Sequence, residues 1–514
     1  MPSRLSVTAV LALLLACAGS TPAPAARLTI LHTNDTHGHL LPFSYPEERS
    51  GGSASPSTRV RRDIGGIARC ATLVRTIREQ CRLRGEAVLL IDAGDFCDGT
   101  SFSTEYHGDA DLAAMRAAGF DFLTLGNHDF NNTPEQVRSL LARGRTAGAA
   151  PRVLLANVLE KDGTPITAPY AMLALDSLRI GLFGLTTESS AGYPAARQAF
   201  EVLPMATTAR AVSSALHDMG ADLVVLISHC GVEADRELAG SAPALDVIVG
   251  GHSHSGLPAG EYFRPFEASP SDSNGTIIVQ ARQWNGELGR LDLDLSRDAA
   301  GRWRVAQHHA ELLPITSAIA PDAGVAATVD SFWAPIAAKH GEVVGEATDD
   351  FSSNRRPDGT WDRANYHLVS DAIRETYGTQ IEMENLGGVR APLLRGPITL
   401  ADRVMMDPFD NTIVTYRLTG RDLKRILTEH APAVSGLTYR IEGGKLLEAK
   451  VGGKPVRDDA VYTGASNSYF APWALKGIEC TDTGRPRLEV LREYVRSKKV
   501  ISPKYDGRRR VRGE

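Results

Sequence analysis

From residue 28 to about residue 295 the chain alternates short apolar runs with amphipathic stretches. Apolar runs at 28–31, 88–91, 122–125, 153–155, 180–183, 223–227 and 247–249 predict buried strands. Between several of them, apolar positions recur at helical spacing over 67–83, 110–118, 134–143 and 207–219. This is α/β alternation. Residues 42–62, rich in Pro, Gly, Ser and Arg, read as an inserted surface loop. Residues 288–295 and 303–312 read as a hairpin across a polar turn holding Asp298 and Gly301. The pattern then changes. A helical stretch over 321–340 leads into a mixed region, with helices near 366–377, 421–430 and 485–497 and a strand at 412–418. A domain boundary is expected within 315–345, as 514 residues exceed what one core supports.

Composition narrows the class. Apolar residues make up 43% and charged ones 23%, and the net charge is −5. That balance is ordinary for a globular protein and argues against a nucleic-acid polymer or a membrane surface as partner. A monomer is expected. The terminal run Arg508-Arg509-Arg510 with Arg512 reads as a solvated tail. At the other end, Arg4 precedes an apolar stretch over 5–16. At about twelve residues it is too short to span a bilayer and right for a signal-peptide core. Leu14-Leu15-Ala16-Cys17 resembles a lipobox, which would lipidate Cys17, and Ala23-Pro24-Ala25 resembles a cleavage site that would release a soluble protein. Either route exports the chain to the periplasm or cell envelope. Of six cysteines, five remain beyond Cys17. Cys70 and Cys81, in one helical pattern, stand roughly 16 Å apart, too far for a disulfide. Buried free thiols are expected.

Five clusters punctuate the first region: Asp35-Thr36-His37, Gly94-Asp95, Gly126-Asn127-His128-Asp129, Ser228-His229 and His252-Ser253-His254. Each follows an apolar run. Loops at the carboxyl ends of strands in an α/β sheet converge on one edge, so residues distant in sequence can meet there. Asp35 and His37 can turn to one metal. Asp95 is the candidate to bridge two ions, Asn127 offers an amide oxygen, and His229, His252 and His254 add nitrogens. Imidazole-rich shells favour Zn, Mn, Fe or Co over Mg or Ca. Two dications against Asp35 and Asp95 leave a positive site suited to a phosphate dianion. Such a pair, roughly 3.5–4 Å apart, can acidify a shared water and clamp a phosphoryl group. His128 can act from beside Asn127 as general acid or charge stabiliser.

Ile30-Leu31-His32-Thr33-Asn34-Asp35-Thr36-His37-Gly38, Gly94-Asp95, Gly126-Asn127-His128-Asp129-Phe130, Ser228-His229 and Gly250-Gly251-His252-Ser253-His254 resemble the 5′-nucleotidase family of calcineurin-like metallophosphoesterases. Asn385-Leu386-Gly387-Gly388-Val389-Arg390 and Asp407-Pro408-Phe409-Asp410-Asn411 resemble that family's second-domain motifs. The resemblance implies a four-layer α/β/β/α catalytic domain over 27–320, after a leader and tether at 1–26. A linking helix at 321–341 and a smaller α+β substrate domain at 342–514 would follow. It implies Asp35, His37, Asp95 and His254 on one ion, and Asp95, Asn127, His229 and His252 on the other. His128 would be the catalytic histidine. Asn385 and Arg390 would contact base and phosphate, with the base between Phe409 and Tyr469. The substrate would be a phosphate ester of a nucleotide, 5′-nucleoside monophosphates first. UDP-sugars and 2′,3′-cyclic nucleotides are the nearest alternatives, and a metal-bearing envelope protein with weakened catalysis is a further one.

Two departures stand out. Where the family pairs its catalytic His with an Asp three positions on, this chain has Asn131, leaving Asp129 as the expected aid to His128. Where the family has Gly-Gly-Asp-Gly-aromatic, with the Asp on the ribose, this chain reads Ala471-Pro472-Trp473-Ala474-Leu475-Lys476-Gly477.

Overall fold

The computed structural model describes residues 26–46, 60–144, 151–175, 178–263, 275–298, 300–389, 391–407, 409 and 411–513. The leader with Cys17, and Arg390, lie outside them.

Two six-stranded sheets form the first half of the chain. In one, Ala26–Thr33, Ala87–Asp92, Phe122–Leu123 and Arg152–Val153 run parallel. The long hairpin of Glu287–Arg297 and Trp303–Pro314 extends this sheet antiparallel beyond Ala26–Thr33. In the other, Leu178–Thr186, Leu223–His229, Val247–Gly250 and Thr276–Val279 run parallel, flanked by the antiparallel Tyr170–Leu175 and Glu261–Phe263.

The alternation of side chains along each strand explains the layers. Leu28, Ile30, Leu89 and Ile91 of the first sheet meet Leu223, Val225, Ile227, Val247 and Val249 of the second in one core. Leu31 and Leu90 point the other way, under the helix Ile67–Leu83. Val224, Leu226 and Ile248 point outward too, under Met205–Asp218 and Val232–Ser241. Strands apolar on both faces are therefore sandwiched on both faces, and the order is helix, sheet, sheet, helix.

The 18-residue helix Ala323–His340 follows, capped by Asp322, whose carboxylate accepts from the N–H groups of Gly324 and Val325. It buries Val325, Val329 and Ile336 in the first-half core. Beyond it, a five-stranded sheet runs in the order Ala433–Ser435, Ile381–Glu384, Val461–Asn467, Thr412–Thr419, Cys480–Pro486. Helices Ala364–Tyr377, Gly420–His430 and Arg487–Lys498 pack with it around two further cores.

Several expectations need correction. The loop expected at 42–62 has ordered stems, with Phe43–Pro46 pairing antiparallel with Val60–Ile64. The arginine run at the C-terminus is not a solvated tail. Arg509–Arg512 forms a strand parallel to Leu437–Glu442. Arg508 is 7% exposed, and its Nη1 donates to Asp371 at 2.6 Å and its Nη2 to Asp506 at 2.6 Å. Arg508 and Arg509 fold inward, and Arg510 and Arg512 stay exposed. Cys70, Cys81, Cys97 and Cys230 are buried and free, and Cys480 is free and exposed. Among the described residues no helix is long and apolar enough to cross a membrane.

Candidate active site

Where five parallel strands end, the chain stops repeating and turns. Asp35 and His37 follow Ala26–Thr33, Asp95 follows Ala87–Asp92, and Asn127 and His128 follow Phe122–Leu123. His229 closes Leu223–His229, and His252 and His254 follow Val247–Gly250. Asp35, His37, Asp95, His252 and His254 all have left-handed backbone, with φ between +47° and +74°. Such conformations cost non-glycine residues about 1–3 kcal/mol each and persist where surrounding structure enforces them. Here the enforcement is visible. The Asp35 N–H donates to Gly94 O and the His37 N–H to Asp95 O, both at 2.9 Å. Gly94 itself sits at φ +88°, and a Cβ there would lie 2.6 Å from the Gly126 backbone nitrogen. Each buried Leu, Ile or Val beneath contributes roughly 1.5–3 kcal/mol, so the core can hold these loops in place.

The loops bring seven side chains together. Ligand atoms of Asp35, His37 and His254 lie within 4.8 Å of one another, and so do those of Asp95, His229 and His252. Asp95 Oδ2 stands between the groups, 3.1 Å from His229 Nε2 and 3.8 Å from His37 Nε2. Asp35 Oδ1 is 3.2 Å from His254 Nε2 and 3.9 Å from His229 Nε2. Asp35, His37, Asp95, Asn127 and His229 are buried.

The remaining polar atoms fix the orientation of these groups. The Ala93 carbonyl lies 2.7 Å from His229 Nδ1, and the Asp98 carbonyl 2.9 Å from His37 Nδ1, so both rings turn Nε2 inward. Asn127 Nδ2 donates to Tyr193 Oη at 2.7 Å, which turns Oδ1 inward. Asp35 Oδ1, Asn127 Oδ1 and His229 Nε2 are buried with no hydrogen-bond partner. Leaving such atoms unpaired costs about 1–3 kcal/mol each, and a pair of divalent cations would satisfy all of them. The donor set, four imidazoles with carboxylates and an amide, fits a transition-metal pair.

The electrostatics agree. Burial disfavours a charged His229, yet the adjacent Asp95 and Asp35 carboxylates reverse this and raise it to about 10. Burial opposes ionised Asp35 as well, but His254 and His229 hold it down at about 2. Burial, reinforced by the neighbouring His229 charge, lowers His252 to about 4. The carboxylates thus demand positive charge, and protons on histidine supply it only in part.

His128 stands beside this cluster, its ring 5.2 Å from that of His37. Its Nδ1 is 2.7 Å from Asp98 Oδ2. Asn131 Nδ2 donates to the same Asp98 oxygen. Asp129, the expected aid, faces away. It accepts from the N–H groups of Gly126 at 2.7 Å, Asp95 at 3.1 Å and Cys97 at 3.2 Å, and so braces the loops. Burial, then the Asp95 charge, raises its carboxyl to about 7.

From the second half of the chain, the Phe409 ring lies 6.1 Å from that of His128, tilted by 31°. Tyr469 is 56% exposed, and its ring partner is Trp473, edge-on at 6.3 Å. The Asn385 side-chain amide lies 2.9 Å from that of Asn467, within its own lobe. Beneath them is a group that sequence reasoning passed over. Arg487 is fully buried, with Nη1 donating to Glu384 at 2.7 Å, Nη2 to the Gly388 carbonyl at 2.9 Å and Nε to Asp407 at 2.6 Å. It thereby ties the Asn385–Gly388 turn to the segment leading into Phe409. Tyr193 and Asp98 were missed likewise; neither lies in a periodic pattern or a motif.

Two family models match this chain. Residues 28–256 match the calcineurin-like phosphoesterases, and residues 343–474 match the 5′-nucleotidase C-terminal domain. The first defines the class, the metal-dependent phosphoester hydrolases. The pair together defines the group, and the chain belongs to the 5′-nucleotidase family of that class. A 5′-nucleotidase precursor from Thermus thermophilus superposes with a TM-score of 0.79 at 27% identity, covering 95% of this chain and 100% of that one. The protein UshA of Escherichia coli is 25% identical over 91% of this chain and 88% of its own length. A trifunctional nucleotide phosphoesterase of Bacillus subtilis is 25% identical over 94% of this chain, which spans only 34% of that relative.

Proposed function

We propose that this protein is an exported hydrolase that releases phosphate from nucleotides, 5′-nucleoside monophosphates first. The observation that carries this reading is the two adjacent ligand groups, with Asp95 Oδ2 3.1 Å from His229 Nε2 and 3.8 Å from His37 Nε2, and inward-facing atoms that have no hydrogen-bond partner. Asp35, His37, Asp95 and His254 would hold one ion, and Asp95, Asn127, His229 and His252 the other. Bound there, the ions would acidify a shared water and offset charge on the phosphoryl oxygens. His128 would hold or deliver the proton at the leaving oxygen. The segment 27–320 would be the catalytic domain, 321–341 the linker and 342–514 the substrate domain. Phe409 next to His128 supports an aromatic platform for the base, which every nucleobase can use. Relatives named 5′-nucleotidase and nucleotide phosphoesterase support the same substrate class. Export, with or without a lipid on Cys17, rests on the leader pattern at 1–26.

One observation favours a second reading, a non-nucleotide phosphate ester that carries no ribose. The stretch that carries the family's ribose-binding Asp is here a short helix, Ala471–Ala474, presenting Trp473 rather than an acid. Phosphate release from AMP, UDP-glucose, 2′,3′-cyclic AMP and glucose 1-phosphate decides between them. AMP is expected to turn over with the highest kcat/KM. Turnover of glucose 1-phosphate alone would remove the nucleotide assignment.

A further inference from the structure

We propose that Asp98 is the positioning carboxylate of His128, taking the role that the chain's Asn131 cannot fill. The inference rests on His128 acting as proposed above, and concerns which group holds it. Asp98 belongs to the loop after Ala87–Asp92, 30 residues from His128 in sequence, yet its Oδ2 lies 2.7 Å from His128 Nδ1. A carboxylate accepts only, so Nδ1 carries the hydrogen and Nε2, on the opposite edge of the ring, stays available to the substrate. Asp98 is held for this task from both ends of its backbone unit. Its N–H donates to Ser103 Oγ at 2.7 Å, its carbonyl lies 2.9 Å from His37 Nδ1, and its φ is +70°. One residue thus aims two imidazoles, His37 through its carbonyl and His128 through its carboxylate.

Asn131 then has a positive role. Its Nδ2 donates to the same Asp98 oxygen that faces His128 and lies 3.2 Å from His128 Nδ1. An amide donor suits that position, and an Asp there would oppose one carboxylate with another. The carboxylate and amide of this triad are therefore exchangeable as a pair and not singly.

Steady-state kinetics on the metal-loaded protein, with AMP and with p-nitrophenyl phosphate, test this. The second substrate has a leaving group that departs without a proton. Asp98→Asn is expected to lower kcat on AMP by roughly 10- to 100-fold, part of the ~10²–10⁴-fold worth of a positioned acid. KM and metal content should stay close to wild type, with a much smaller loss on p-nitrophenyl phosphate. Asn131→Asp alone should also lower kcat. The double variant D98N/N131D should recover most of the rate, which no merely structural role for Asp98 would produce. His128→Ala separates the two levels of the argument. If it leaves kcat on AMP unchanged, the role of His128 itself is wrong. If it lowers kcat while Asp98→Asn stays within about twofold of wild type, or if the double variant is no faster than Asp98→Asn, the assignment of Asp98 is wrong.

Discussion

His229 shows most clearly what the site lacks without cations. Fully buried, it would favour the neutral ring, but Asp95 and Asp35 raise it to about 10. At neutral pH the metal-free protein therefore keeps a proton on His229, and an incoming dication must expel it. Metal affinity should rise with pH until about 10, by up to tenfold per unit for each proton displaced. Calorimetric titration of chelator-treated protein with Mn at pH 7.5, in buffers of different ionisation enthalpy, reads this directly. Net release of about one proton per metal pair, from His229, is expected, and a heat independent of buffer would contradict it. The linkage also bears on stability. A histidine raised from 6.5 to about 10 stabilises the metal-free fold fully below pH 6.5, and this contribution is lost as pH rises through about 10.

At the scale of elements, strands present the chemistry and turns aim it. The sequence revealed the strands because runs such as Leu223–Ile227 are apolar on both faces, which a doubly covered sheet requires. It pointed to the candidate ligands because polar groups break those runs at their ends. It could not reveal Asp98, which meets His128 only through a loop that has no period. The Arg508–Arg512 segment misled because a charge run resembles a solvated surface, whereas its partners Asp371 and Glu442 lie far upstream. That contact yields a prediction. Burial would raise the Asp371 carboxyl, but Arg508, Lys504 and Ser435 hold it below the ordinary range. Its stabilising effect is thus present above the unfolded value of 3.8 and lost as pH falls below it. Asp371→Asn, by removing one of the two carboxylates that face Arg508 and leaving Asp506, should cost about 1–3 kcal/mol in denaturant unfolding at pH 7. A change under about 1 kcal/mol would mean the terminal strand is held by pairing alone.

At the scale of the whole molecule, the site is composite. The first half supplies the candidate metal-ligand groups from two sheets, and the second half brings Phe409 against His128. Lys339 and His340, at the end of the connecting helix, reach Glu105 of the first half, with His340 Nε2 2.9 Å from Glu105 Oε1. Arg487, buried below the substrate face, fixes the turn and the segment that would meet a nucleotide. The departures from the family pattern are local, at Asn131 and at Ala471–Ala474, and the seven candidate ligands lie together at the strand ends. Catalysis by a metal pair spanning Asp95 is therefore the central claim. Its most direct test is phosphate release from AMP by chelator-treated protein before and after adding back Mn or Zn, with Asp95→Ala alongside. The account predicts that activity disappears on chelation and returns with metal in the wild-type protein. The variant should stay at least about 10³-fold slower, a loss of about 4 kcal/mol in transition-state stabilisation. Undiminished hydrolysis after chelation, or by Asp95→Ala, would contradict it.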